Sequence, residues 1–328
     1  MSSRIRFLFT RLHRIKITER ILSTRVRFVP HFPHYNVKVP AALGFSLFTW
    51  LGFQTKLSAE DELIMTIKHC ILFIQRTEYD KAEQLLHVAL NQAQRIHHQL
   101  GITYIYDVMA NLALEREQLD KAKNLFIAVT QRIMADGATE DDSRVVHLSL
   151  KLARVSHLKK DYSTAQLGYE WCLEKLRKAT KTDEDPGLLK LLALAEDWYG
   201  RLFLDCNKIE QGLELLISAL NKMKGMDDIE KEHFVVQLND IGTVCDRLGK
   251  TDESITYFDE AIKLGKQIEN MEDLGIMYVN LGRAYIKKNM IAEARKNCGF
   301  GWRLGVMNKN EEIKNEAELC INEIKSIS

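Results

Sequence analysis

Three observations predict an all-α fold: a helical-hairpin solenoid of about six hairpins, closed by a C-terminal capping helix. The stretch from Thr103 to Val129 reads as helix, turn, helix. Ile105, Met109, Leu112 and Ala113 share one helical face, and Ala122, Leu125, Phe126 and Val129 share another. Between them 115–120 is too polar and too short for anything but a corner, so the two stripes fold on each other and leave one apolar side uncovered. The slots of this unit recur along the chain, and the last 21 residues form an amphipathic helix with a charged outer face, as a terminal cap requires.

The recurrence is counted from Ala122. A bulky residue (Phe126) follows four later, a small-to-medium one (Val129) seven later, and a small one (Ala110) stands twelve before. The same four slots surround Ala82, Ala165, Gly212, Ser254 and Ala294, giving six copies spaced 40, 43, 47, 42 and 40 residues apart. The small residue lets the two helices of a hairpin approach closely, and the bulky one fills the space beside it. This logic resembles the tetratricopeptide repeat, whose basic period is about 34 residues. The chain departs from it in its longer spacing, in an early aromatic found only at Tyr106 and Tyr278, and in lacking the closing proline.

Residues 1–40 hold nine Lys and Arg against one acid, Glu19, while the remainder carries 37 basic against 44 acidic residues. An Arg-rich, amphipathic, nearly acid-free leader reads as a mitochondrial presequence, removed on import. The competing reading is a basic arm on nucleic acid or acidic lipid. Residues 41–57 follow, with 41–53 free of charge. Thirteen residues fall short of the roughly 20 needed to span a bilayer, so the segment either lies in the membrane interface or caps the first hairpin.

The helical repeat domain covers 58–328. Ser58 with Asp61 signals the first helix start, and Ile64, Ile67, Ile71 and Ile74 give that helix more apolar surface than one partner covers. The polar run 135–143 leads into a helix near Arg144. Residues 178–187 hold the only internal proline, Pro186, and mark a possible hinge. Gly225 is expected to stop a helix, and Asp227 and Asp228 to start the next. Ile313, Ala317, Cys320, Ile321 and Ile324 face inward on the last helix.

The chain shows no Walker loop, no dinucleotide glycine fingerprint and no zinc-protease helix. Six scattered cysteines, Cys70, Cys172, Cys206, Cys245, Cys298 and Cys320, never stand two residues apart and read as buried free thiols. The adjacent His97 and His98 suit a helix end better than a metal site. No catalysis, cofactor, metal or nucleic-acid partner is expected. A hydrolase site built on His147 or His157 with Cys172 is the enzymatic alternative.

Recognition remains. First helices of such hairpins line a groove, and the polar side chains between their packing residues are Tyr104, Asp107, Asn111, Glu115, His147, Arg154, Asp197, Arg201, Asn239 and Arg247. His157, Asp205, Asp246, Arg283 and Lys287 continue the series.

The leader, GFSLFTWLGF at 44–53, TYIYDVMANLALEREQLDKAKNLF at 103–126, SLKLARV at 149–155 and YEWCLEKL at 169–176 together resemble the mitochondrial tetratricopeptide repeat protein 19 family. The likeness is strongest over 44–178, and the linker near 183–186 is shorter than the family's. It implies a non-catalytic adaptor at the inner mitochondrial membrane that binds respiratory complex III. There it would support clearance of fragments of the Rieske iron–sulfur subunit. The alternative is a cytosolic repeat scaffold in chaperoning, trafficking or cell division.

Overall fold

A computed structural model describes residues 58–183, 185–226, 229–269 and 271–327; the presequence and the 41–57 segment lie outside them. Among the described residues there are thirteen helices and no strand. They are α1 (Ala59–Gln75), α2 (Tyr79–Arg95), α3 (Gln99–Glu115), α4 (Leu119–Ala135), α5 (Ser143–Leu158), α6 (Tyr162–Thr182) and α7 (Pro186–Asp205). Then follow α8 (Ile209–Met223), α9 (Lys231–Arg247), α10 (Thr251–Gly265), α11 (Leu274–Lys287), α12 (Ile291–Met307) and α13 (Glu311–Ile327). The pairs α1–α2, α3–α4, α7–α8, α9–α10 and α11–α12 pack as hairpins, α5 leads into α6 through a turn of the same kind, and α13 is the cap.

The starts follow local chemistry. Ser58 Oγ accepts from Asp61 N–H, Asp142 accepts from Arg144 N–H, and Asp185 accepts from Gly187 N–H with Pro186 in the first turn. The next start departs from the expectation. α9 begins at Lys231 behind Glu230, which makes no side-chain cap bond, while Asp227 and Asp228 lie outside the described residues. Lys224, one residue before Gly225, caps the end of α8.

Every hairpin turns in the same way. Five residues before each marker, Thr77, Glu117, Lys160, Asn207, Gly249 and Asn289 take positive φ, between 58° and 74°. The next residue's N–H reaches back to the fifth residue before it, as in Gln118 to Ala113 O at 2.8 Å and Lys208 to Phe203 O at 2.8 Å. This is the Schellman closure, which satisfies carbonyls that the helix end would otherwise leave bare.

The four slots are buried in all six copies. The described chain divides into two compact units, 58–161 and 162–327, and the division falls in the turn of the third hairpin. Residues 178–187, where a hinge was expected, lie inside the second unit, with α6 and α7 packed on each other there. In the first unit Cys70, Leu86, Ala89, Ile105 and Met109 form one core, and Ala110, Phe126, Val129, Leu148 and Val155 form the next. In the second, a continuous core runs from Leu213 through Phe258 and Met277 to Ile324 on α13.

The cysteine expectation needs one correction. Cys298 on α12 and Cys320 on α13 form a disulfide, with Cα atoms 6.0 Å apart. Packing of the cap onto the last hairpin brings together two residues that are 22 apart in sequence. Cys70, Cys172, Cys206 and Cys245 are free.

Candidate interaction surfaces

Within each unit neighbouring first helices meet along their inner faces, and polar side chains there bond across from one to the next. Counted back from the markers, Asp107 and Asn239 hold slot fifteen, and Lys151 and Asn280 hold slot fourteen of the following copy. Lys151 Nζ lies 3.4 Å from Asp107 Oδ1, and Asn280 Nδ2 donates to Asn239 Oδ1 at 3.0 Å. The same offset between neighbouring helices therefore carries an ion pair in one unit and an amide pair in the other. Lys287 adds a third rung to Asp246 at 2.6 Å.

Lys151 is 2% exposed. Its ammonium is held by Asp107 on one side and by the Phe126 ring, 5.3 Å away, on the other. Burial first, and that ammonium second, push the His147 imidazole well below the ordinary histidine range.

In the second unit Arg201 is the centre of a buried cluster. Its Nε bonds Asp197 at 3.0–3.1 Å, Nη1 bonds Asp240 at 2.8 Å, and Nη2 bonds Gln237 at 3.2 Å. Burial works against ionisation of Asp197, but the guanidinium outweighs it and holds the carboxyl below its usual range. The two Asp neighbours in turn raise Arg201, against the cost of its own burial.

The predicted groove residues thus separate into two groups. Asn111, Arg154, Asp197 and Asn239 are buried, where open side chains were expected. Asn111 Nδ2 donates to Asp107 O at 2.8 Å, and Arg154 Nη1 lies 3.0 Å from His157 Nδ1. Asn111, Arg154 and Asp197 thus bond within their own helices, while Asn239 bonds across to Asn280 of the next repeat. Tyr104, Asp107, Glu115, His147, Arg201 and Arg247 stay partly exposed. Burial pushes the Tyr104 phenol up, with Asp107 adding to it. Burial also raises the Glu115 carboxyl, against a long hydrogen bond from Tyr79 Oη at 3.4 Å. Lys151, Gln237, Asp240 and Asn280 were missed. Their signal is a polar residue at a slot flanked by packing positions.

A cleft of about 710 Å³ opens in the second unit among α6, α7 and α8. Tyr199 and Phe203 form its floor with ring centroids 4.4 Å apart, and Tyr199 Oη is fixed by Glu170 at 2.8 Å. Arg177, Lys178 and Lys181 stand on its α6 rim.

The enzymatic alternative gains nothing here. Burial pushes the Cys172 thiol up to about 12, the opposite of an activated nucleophile. Among the described residues no group of three His, Cys, Asp or Glu is placed to hold a metal, and no helix is long and apolar enough to cross a membrane.

Comparison with known proteins adds two kinds of likeness. The tetratricopeptide repeat model matches residues 238–266, which span most of α9 and all of α10. The chain is 37% identical over 268 residues to the Drosophila melanogaster protein named tetratricopeptide repeat protein 19 homolog, mitochondrial, covering 81% of this chain and 73% of that one. The Homo sapiens protein named tetratricopeptide repeat protein 19, mitochondrial, is 29% identical over 249 residues, 73% of this chain and 65% of its own length. Among solved structures, a signal-transduction ATPase with a tetratricopeptide repeat sensor from Pyrococcus horikoshii aligns with a TM-score of 0.59 at 14% identity. It covers 76% of this chain and 36% of that one, a likeness of fold alone.

Proposed function

Because this chain belongs to the mitochondrial tetratricopeptide repeat protein 19 family, we propose that it is a non-catalytic mitochondrial adaptor for respiratory complex III at the inner membrane. It binds the complex or fragments of its Rieske iron–sulfur subunit and passes the fragments to a separate protease. The observation that carries this reading is the 37% identity over 268 residues to a relative named mitochondrial. The basic, acid-poor leader agrees with import.

Two surfaces suit such a partner. One is the partly exposed inner row of Tyr104, Glu115 and His147 in the first unit, and the other is the cleft of the second unit lined by Tyr199 and Phe203. Both offer a few fixed polar groups beside apolar surface, which is how a repeat protein holds a peptide segment.

The test is purification of the tagged protein from gently solubilised mitochondria, followed by mass spectrometry. The expected result is recovery of complex III subunits, with Rieske fragments accumulating in cells that lack the protein. Recovery of no such subunit, with the protein in the cytosol, would replace this reading by the cytosolic scaffold. Degradation of a fragment by the pure protein alone would overturn the adaptor role.

A further inference from the structure

The solvent face of α12 differs from those of α8 and α10 in the same unit. Outward positions on α8 are Glu210, Gln211, Glu214 and Asn221, and on α10 they include Asp252, Glu253, Thr256 and Asp259. On α12 the corresponding half of the helix shows Phe300 (37% exposed), Trp302 (38%), Val306 (44%) and Met307 (75%). Arg295, Lys296 and Arg303 stand among them, and Glu293 at the edge is the one acid of the helix. At 100° per residue these side chains fall within one half-turn of the helix, opposite Ala294, Cys298, Gly301 and Gly305, which are buried.

We propose that this face of α12 is a peripheral docking surface for an anionic lipid bilayer. Aromatic and aliphatic side chains interleaved with basic ones, on the exposed side of a helix too polar to span, are the composition of an interfacial helix. Charge complementarity selects the partner. Beyond residue 40 the chain is net acidic, 37 basic against 44 acidic residues, so a cationic face here runs against the average field.

Arg295 and Lys296 have no ion-pair partner among the described residues, which leaves them for lipid phosphates. Of the acids on α13, Glu318 has its Oε1 occupied by Trp302 Nε1 at 3.1 Å, and Glu311 is paired with Lys314 at 3.1 Å. A Cβ added at Gly299 would meet nothing within 4 Å, so a flat surface can approach the backbone between the basic residues. The inference does not rest on the complex III reading, since vesicles contain no such complex.

The experiment is flotation of the full chain with vesicles of phosphatidylcholine alone or with about one third phosphatidylglycerol. Two double variants are compared with the parent, Arg295→Glu with Lys296→Glu, and Val306→Ser with Met307→Ser. The N-terminal residues are common to all samples, so differences report α12. The parent should float with anionic vesicles, and each variant should lose binding by about three-fold or more. A smaller loss, equal binding to neutral vesicles, or no flotation of the parent overturns the proposal.

A polarity-sensitive dye on Met307→Cys provides a measurement independent of variant folding. Its emission should shift to the blue with anionic vesicles, and an unchanged spectrum is a second way for the proposal to fail. Loss of protein capture by the two variants without any lipid binding would assign the face to a protein partner instead.

Discussion

The disulfide between Cys298 and Cys320 occupies the slot that the other five copies fill with Leu86, Phe126, Tyr169, Leu216 and Phe258. In the sixth hairpin the plug is small and sits against Gly282 on α11, and the cap supplies the second sulfur that completes it. The bond therefore does the packing of a bulky side chain and also ties the terminal helix to the last hairpin. Both sulfur-bearing residues are fully buried.

Closing a loop of this length restricts the unfolded chain, so Cys320→Ala should cost about 2–4 kcal/mol. The loss should be seen as a lower melting temperature that reductant no longer changes. Alkylation of the denatured, unreduced protein should label the four free cysteines and spare Cys298 and Cys320. Labelling of all six would show that the bond is absent.

Close helix approach sets a second expectation. A Cβ at Gly242 would lie 2.8 Å from the Phe258 ring, and one at Gly200 would lie 3.0 Å from Gly212 O. Gly200→Ala meets backbone that cannot yield, so it should cost about 1–3 kcal/mol by urea unfolding, and Gly242→Ala should cost somewhat less because a ring can shift. Ala110→Leu should be at least as severe, since Ala110 is fully buried against the same kind of contact. An unchanged urea midpoint for Ala110→Leu would show that the second copy packs differently.

The turns hold strain that can be relieved. Thr77 (φ 59°), Glu117 (φ 58°) and Lys160 (φ 65°) sit in the left-handed region that favours glycine, and Gly249 shows that glycine serves the same turn. Replacing Glu117 by Gly should stabilise the protein by about 0.5–1 kcal/mol, the released strain exceeding the added freedom of the unfolded chain. Thr77→Gly should gain at least as much, because a β-branched residue tolerates positive φ least. Thermal unfolding of the two single variants checks both values.

The Arg201 cluster predicts a pH dependence. Asp197 titrates below its usual range when folded, so its contribution to stability is fully present above the unfolded value near about 3.9. It is lost as pH falls through the lower folded value. Arg201→Met removes the cation that Asp197 and Asp240 both bond, and should cost about 3 kcal/mol at neutral pH. Stability measured from pH 6 down to pH 3 should fall less steeply in this variant than in the parent.

Much of the fold was legible in the sequence because its determinants are local. A small residue twelve before the marker and a bulky one four after it are read within a single hairpin, and the structure buries each of them. Ser58 was legible as a cap for the same reason, and the polar run 135–143 as the approach to a helix start. The turn geometry was harder to read, since only Gly249, Asn207 and Asn289 carry the residue types that positive φ favours.

The inner face was less legible. Asp107 and Asn239 were read as polar side chains of a groove, but their bonds to Lys151 and Asn280 join residues 44 and 41 apart. Those pairings depend on the offset at which one first helix stacks on the next. That offset comes from the packing of whole hairpins and leaves no trace in a single stretch of chain.

The sequence by itself determined the helices, the six-fold slot pattern and the capping helix, because periodicity and residue size act over a few turns of chain. Only the tertiary structure decided which polar groups bond across repeats, that Cys298 and Cys320 meet, and that α12 turns an apolar, basic face to solvent. Each of these depends on what a neighbouring hairpin covers or leaves bare, and burial is a property of the assembled stack.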